Sequence, residues 1–153
     1  KMTSNYLTKN FSYCFTKKYD YPPILTLKKF KKDFKLGSTD RNVSIKAIKV
    51  RHGLIDSIAY IINHKIAYIS DANDFYKKDY NYFKNLKFLI IDCLRFDKHP
   101  SHFNLEDVLR ITKSLKPKKT ILTNLHSDLD YNQLLKILPN NIKPGYDGLS
   151  INI

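Results

Sequence analysis

Phe88–Ile91 (FLII) is an unbroken apolar run with turn signals near both ends, which is typical of a strand buried on both faces of a sheet. Two similar short runs lie on either side of it in the sequence, Ile66–Ile69 (IAYI) and Thr120–Thr123 (TILT). Val43–Val50 (VSIKAIKV) alternates apolar and polar residues, as a half-buried strand does. Asn63–Lys65 (NHK) separates two apolar runs and signals a hairpin. The sequence therefore predicts a sheet built around Phe88–Ile91.

Two helices are predicted in the second half of the chain. Asn104 can cap a helix over Leu105–Leu115, whose apolar residues share one face. A second helix is expected over Tyr131–Leu138, followed by a final strand over Leu149–Ile153. Strands that alternate with helices after a hairpin predict an α/β fold, and the length predicts a single domain over residues 1–153.

Two segments carry weaker signals. Ile24–Leu27 follows a pair of prolines and is predicted to be a short strand. Asp74–Phe83 is either a helix or an irregular aromatic segment, because its Asn and Tyr residues favour neither state.

A histidine or an aspartate follows each of the four strand-like runs: His52, Asp71, His102 and His126. Sites in layered α/β folds are built at strand ends, because the sheet fixes several loops at once. Neutral imidazole and carboxylate are also ligands that suit zinc and manganese. The positions therefore predict a metal site, and the alternatives are surface or helix-capping roles for the same side chains.

Six segments, in register along the whole chain, resemble the C-terminal part of a metallo-β-lactamase-fold hydrolase. The nearest branch contains phosphoribosyl cyclic phosphate phosphodiesterase and its relatives, neighbours of the tRNA 3′-processing endonucleases. The segments are VRHG (50–53), AYISD (67–71), LIIDCLR (89–95), HPSHFNLEDVL (99–109), ILTNLHSDLDY (121–131) and GYDGLSI (145–151).

The resemblance implies the C-terminal half of an αββα sandwich, a mixed sheet with helices on its outer face. It also implies a two-metal centre, with zinc or manganese bound by His52, Asp71 and His126, and with Asp71 as the bridging ligand. His102 would contact the scissile phosphate or protonate the leaving oxygen. The expected activity is metal-dependent hydrolysis of a small cyclic or diester phosphate.

Two departures from the family pattern matter. The family's His-x-His-x-Asp-His loop does not occur in this sequence. Asn124 stands where many relatives carry the first His of Thr-His-x-Ser-His, which shifts the expected ligand to His126. The chain is therefore expected to be half of a binuclear hydrolase, weak or inactive alone, with a complementing N-terminal segment or a second copy as partner. The alternatives are a non-catalytic fragment or split-protein subunit, and a relative of RNA-processing nucleases.

The composition of the chain bears on whether it binds nucleic acid, a phosphorylated substrate or a membrane. The net charge is +13, but only four of the 27 basic residues are arginine, so biased composition competes with nucleic-acid binding as its cause. The sequence leaves nucleic-acid binding open without favouring it, and the charge would still steer a phosphorylated substrate. No apolar run reaches the ~18 residues of a membrane span. Cys14 and Cys93 lack metal-ligand spacing, and with no signal sequence they predict a cytoplasmic protein.

Overall fold

Residues 2–17, 20–28, 31–37 and 42–152 are described by a computed structural model, in which the chain divides into one unit within residues 1–31 and a second within residues 32–153. The first unit contains helices α1 (Met2–Asn10) and α2 (Ser12–Phe15). The strand predicted over Ile24–Leu27 does not form, and Ile24 is 74% exposed. An apolar run becomes a strand only when a neighbouring strand pairs with it, and no described strand does so here. The Leu25 N–H donates instead to the Cys14 carbonyl, at 2.8 Å.

The second unit is built on a mixed sheet whose described strands follow the order β1-β2-β3-β4-β6-β7-β8, with β5 paired to β2. Neighbours from β1 to β4 are antiparallel, whereas β4, β6, β7 and β8 are parallel. The strands are β1 (Asp33–Leu36), β2 (Val43–His52), β3 (Ile55–Ile62), β4 (Ile66–Ile69), β5 (Asp74–Phe75), β6 (Phe88–Asp92), β7 (Lys119–Thr123) and β8 (Ile142–Pro144).

The predicted strands around Phe88–Ile91 are confirmed, and so is the hairpin between β3 and β4. Asn63 and His64 turn it with φ angles of 49° and 54°, a region that Asn and His tolerate better than most residues. The final strand predicted over Leu149–Ile153 is wrong within the described residues, because 149–152 pair with no other strand. Ile153 lies outside the described residues.

Helix α3 (Leu105–Leu115) begins where the sequence predicts, because the side chain of Asn104 accepts a hydrogen bond from the Asp107 N–H at 2.9 Å. Helix α4 (Tyr131–Ile137) follows β7 and precedes β8 along the chain. The register places Ile69, Ile91 and Leu122 side by side on one face of the sheet, all fully buried. They share a single core with Val108, Leu115 and Leu134 of the two helices. The predicted α/β fold, a mixed sheet with helices, is therefore confirmed.

Strand direction brings the ends of five strands to one edge of the sheet. The parallel strands β4, β6, β7 and β8 all finish there. Strand β2 is antiparallel to β3, which is antiparallel to β4, so β2 also finishes at this edge, at His52. In the part of the chain that the structure describes, no helix is both long enough and apolar enough to cross a membrane.

The two cysteines are expected to differ sharply in reactivity. Cys93 is fully buried, and burial, aided by the charge of Asp92, raises the pKa of its thiol to about 12. Cys14 is partly exposed. Because the thiolate is the reactive form, an alkylating reagent at about pH 8 should modify Cys14 and spare Cys93 until the chain is unfolded in denaturant. Mass spectrometry of the labelled peptides measures this, and rapid labelling of native Cys93 would contradict it.

Candidate metal centre

Three side chains meet at the shared edge of the sheet. His52 ends β2, Asp71 follows β4, and His102 lies in the loop after β6. Each offers one ligand atom, and these atoms all lie within 4.8 Å of one another. Ligands of one tetrahedral zinc bound at about 2.0–2.2 Å lie roughly 3.3–3.6 Å apart, so these side chains would have to move inward by up to about 1.5 Å to share one ion. The donor set therefore fits a metal ion.

A backbone carbonyl binds one ring nitrogen of His52 and leaves the other nitrogen available. Its Nδ1 lies 2.7 Å from the carbonyl oxygen of Ser101, which can only accept, so Nδ1–H donates and Nε2 keeps its lone pair. The next residue, Gly53, has φ 61°, and a Cβ there would lie 3.1 Å from the Cβ of Ser101. Glycine thus allows the loop that carries Ser101 to approach the end of β2.

His102 is held by the buried carboxylate of Asp92. The Nδ1 of His102 lies 2.6 Å from Oδ2 of Asp92, and that oxygen also accepts from the Ala72 N–H at 3.1 Å. The Nδ2 of Asn124 donates to Oδ1 at 3.0 Å. Burial raises the pKa of Asp92, while the bonds from Ala72, Asn124 and His102 act in the opposite direction. With Nδ1 occupied by Asp92, His102 is left with Nε2 for the site.

A third imidazole adjoins this pair. The ring centroid of His99 lies 5.1 Å from that of His102, which in turn lies 4.6 Å from that of His52. The Nδ1 of His99 accepts from the Ser101 N–H at 3.3 Å, and desolvation together with the nearby His102 lowers the pKa of His99. Neutral imidazole is the form that binds metals, so the surroundings favour that form at His99.

The family model of the beta-lactamase superfamily domain matches residues 1–124. The chain belongs to the beta-lactamase superfamily. Its membership agrees with the resemblance drawn from the sequence, and the mixed sheet with helices is the fold that this resemblance implies.

Solved structures with this superfamily fold align over most of the chain. A diphosphatase from the PhnP family aligns with TM-score 0.81 and 24% identity, covering 96% of this chain and 53% of that one. The metallo-beta-lactamase fold protein YhfI from Bacillus subtilis gives TM-score 0.68 and 19% identity over 92% of this chain and 59% of that one. Human tRNase Z, short form, aligns with TM-score 0.58 and 17% identity, covering 80% of this chain and 47% of that one. This superfamily chain thus spans about half the length of these proteins.

A sequence relative carries a different name. An octanoyltransferase from Porphyromonas gingivalis is 30% identical over 138 residues, which cover 87% of this superfamily chain but 27% of that protein. The alignment therefore concerns about a quarter of the relative, and its name describes the longer protein.

The structure gathers three of the four residues predicted at this superfamily site, His52, Asp71 and His102. His126 is not in the group: its side chain is 60% exposed, and Nδ1 lies 2.7 Å from Oδ1 of Asp128. Its role as a ligand stays a prediction. The backbone N–H of His126 donates to the Leu94 carbonyl at 2.9 Å, so the residue belongs to the same set of loops.

Two residues that the sequence analysis did not assign to the site, Asp92 and Asn124, lie beside the group. Asp92 ends the apolar run FLIID and is fully buried. A carboxylate at the end of a buried strand was the signal for it, since buried charges are paired or bind metals. The signal for Asn124 was its place directly after β7, where many relatives carry the first His of Thr-His-x-Ser-His.

Proposed function

We propose that this chain forms part of the active centre of a metal-dependent hydrolase that acts on a small phosphodiester. The observation that carries the proposal is the convergence of His52, Asp71 and His102, whose ligand atoms lie within 4.8 Å of one another at one sheet edge. The diphosphatase and tRNase Z among the similar structures support phosphorus–oxygen bond chemistry at this edge.

His52 and Asp71 would hold the zinc or manganese ion. The Nε2 of His52 is available because Nδ1 is engaged by the Ser101 carbonyl. Asp71 brings the negative charge that imidazole lacks, and the Ser70 hydroxyl fixes its carboxylate with a hydrogen bond of 2.8 Å. When bound, the cation would supply Lewis acidity and a water of lowered pKa.

His102 would act as the proton donor to the leaving oxygen. In its imidazolium form, Nδ1–H donates to the Asp92 carboxylate, which stabilises the positive charge, and Nε2–H is left as the proton that the ring can donate. Asp92 is fully buried, so water does not compete for this hydrogen bond. The pair therefore supplies both the orientation and the charge that a general acid needs.

A cavity adjoins the cluster through Asn124, although His52, Asp71 and His102 do not themselves line it. It has a volume of about 440 Å³ and includes Asn124, whose Nδ2 lies 3.3 Å from Nδ1 of His102. Ile90, Ile121 and Tyr146 provide apolar and aromatic walls. Sites for small molecules span about 300–1,000 Å³ and combine apolar walls with a few polar groups. A small cyclic or diester phosphate would fit these dimensions.

A two-metal centre needs more ligands than this group provides. His52 and Asp71 give one ion two protein ligands, fewer than the three of an open zinc site, and two bridged cations require still more histidines or carboxylates. We propose that a segment with the pattern His-x-His-x-Asp-His supplies them as a partner. The chain by itself is then expected to bind metal weakly and to hydrolyse bis-p-nitrophenyl phosphate slowly or not at all.

Metal binding by the chain tests the site directly. Calorimetric titration with Zn²⁺ and Mn²⁺ should show one site, and Asp71→Asn should weaken binding by more than the 10–100-fold that losing an outer-shell partner costs. His64→Asn is the matched control, because His64 lies in the β3–β4 turn and Asn tolerates its left-handed backbone. Equal affinity of Asp71→Asn and the unchanged chain would contradict the proposal.

A further inference from the structure

Asn124 occupies a position that joins three strands of the sheet. It is the first residue after β7, at the edge where β4 and β6 also finish. Its φ angle is 61°, in the left-handed region that Asn adopts more readily than most residues other than glycine. The left-handed backbone favours Asn at this position, but it does not account for the contacts that the Asn124 side chain makes.

The side-chain amide of Asn124 is aimed at Asp92. Its Nδ2 donates to Oδ1 of Asp92 at 3.0 Å and also lies 3.5 Å from the carbonyl oxygen of Ser70. A carboxylate accepts but does not donate, so the NH₂ side of the amide must face it. Asn124 thus links the end of its own strand to the ends of β6 and β4, the strand that leads to Asp71.

This contact leaves the other carboxylate oxygen of Asp92 for His102. With Oδ1 fixed by Asn124, Oδ2 is aimed at Nδ1 of His102, 2.6 Å away, and at the Ala72 N–H. Removing the amide would leave Oδ1 of Asp92 buried without this donor. The carboxylate would then rotate toward another hydrogen-bond donor. His102 would then lose its partner, and the proton would no longer be held on Nδ1.

We propose that Asn124 is a positioning residue: it fixes the Asp92 carboxylate and thereby keeps a proton on Nδ1 of His102, so that Nε2 is the ring nitrogen that gains and donates a proton. The use of that Nε2 in catalysis rests on the proposed function. The hydrogen-bond network itself does not, since it exists in the chain without metal.

The test is nuclear magnetic resonance of the metal-free full chain labelled with ¹⁵N at histidine. At about pH 8, above the ordinary titration range of histidine, the ring nitrogens of His102 should report the Nδ1–H tautomer. Asn124→Gly keeps the left-handed backbone and removes only the amide, and this variant should lose that signature. Asn124→Asp keeps the shape but replaces the donor with an acceptor, and the same loss is expected.

Asn85→Gly is the matched control. Asn85 is exposed, has φ 55°, and contributes its backbone N–H to the Leu115 carbonyl, which glycine preserves. The His102 signals of the Asn85→Gly chain should equal those of the unchanged chain. An unchanged His102 spectrum in a folded Asn124→Gly or Asn124→Asp chain would overturn the proposal, as would an Nε2–H tautomer in the unchanged chain. Absence of metal binding or hydrolysis would count against the proposed function and would leave the tautomer result intact.

Discussion

Replacing His102 with alanine is expected to lower kcat for bis-p-nitrophenyl phosphate by about 10²–10⁴-fold, the usual contribution of a general acid. The reason is geometric, because Nδ1 of His102 is held by the buried Asp92, and a ring nitrogen of His102 lies within 4.8 Å of ligand atoms of His52 and Asp71. The assay would use the chain complemented with a His-x-His-x-Asp-His segment from a structural relative. Metal content, measured by mass spectrometry on the same sample, should change far less than kcat.

The comparison of kcat with metal content separates two roles for His102. If His102 donates a proton, the alanine variant keeps its metal and loses turnover. If metal content falls in parallel with kcat, His102 is a ligand and not the acid. His64→Asn should retain both metal and turnover, because the β3–β4 turn is remote from the shared edge in the topology of the sheet. Full activity of the complemented His102→Ala protein would exclude His102 from the chemistry.

The parts of this fold that the sequence predicts are those with local causes. Helix α3 is predicted with correct ends, because one residue caps it and its apolar side chains share a face. Strand β4 is also predicted with correct ends, because a short apolar run after a turn has few alternatives. The last strand fails for the opposite reason. The alternating residues 149–152 have the periodicity of a strand, but pairing depends on a neighbour that periodicity does not reveal.

The residues of the site also differ in whether local sequence or contacts between distant residues determine their positions. His52 is the last residue of β2 and Asp71 lies two residues past the end of β4, so strand direction alone brings them together. His102 reaches them through contacts between distant residues: the Phe103 N–H donates to the Ala72 carbonyl, and the Leu94 N–H donates to the Phe103 carbonyl. Such loop contacts leave no periodic trace in the sequence. His126 illustrates the converse, because a position after a strand does not determine where the side chain turns.

The segment that the sequence left undecided contains one of the most deeply buried aromatic side chains. Lys77–Phe83 forms a 3-10 helix, and Phe83 at its end is fully buried. The Phe83 ring packs against Phe75, with centroids 4.9 Å apart. A tight helix of this kind has no apolar periodicity to reveal it, so the core contact, which sequence reasoning does not see, accounts for its position.

Replacing Phe83 with alanine is therefore expected to lower the free energy of unfolding by about 3–5 kcal/mol, the cost of deleting a buried aromatic ring and leaving a cavity. Urea denaturation followed by circular dichroism measures the change. Phe96→Ala is the control, because Phe96 is 36% exposed and should lose much less. A loss below about 1 kcal/mol at Phe83 would show that the 3-10 segment does not contribute to the core. Since a domain of this size is stable by roughly 5–15 kcal/mol, the expected loss would leave the fold that carries the metal-binding edge close to unfolding.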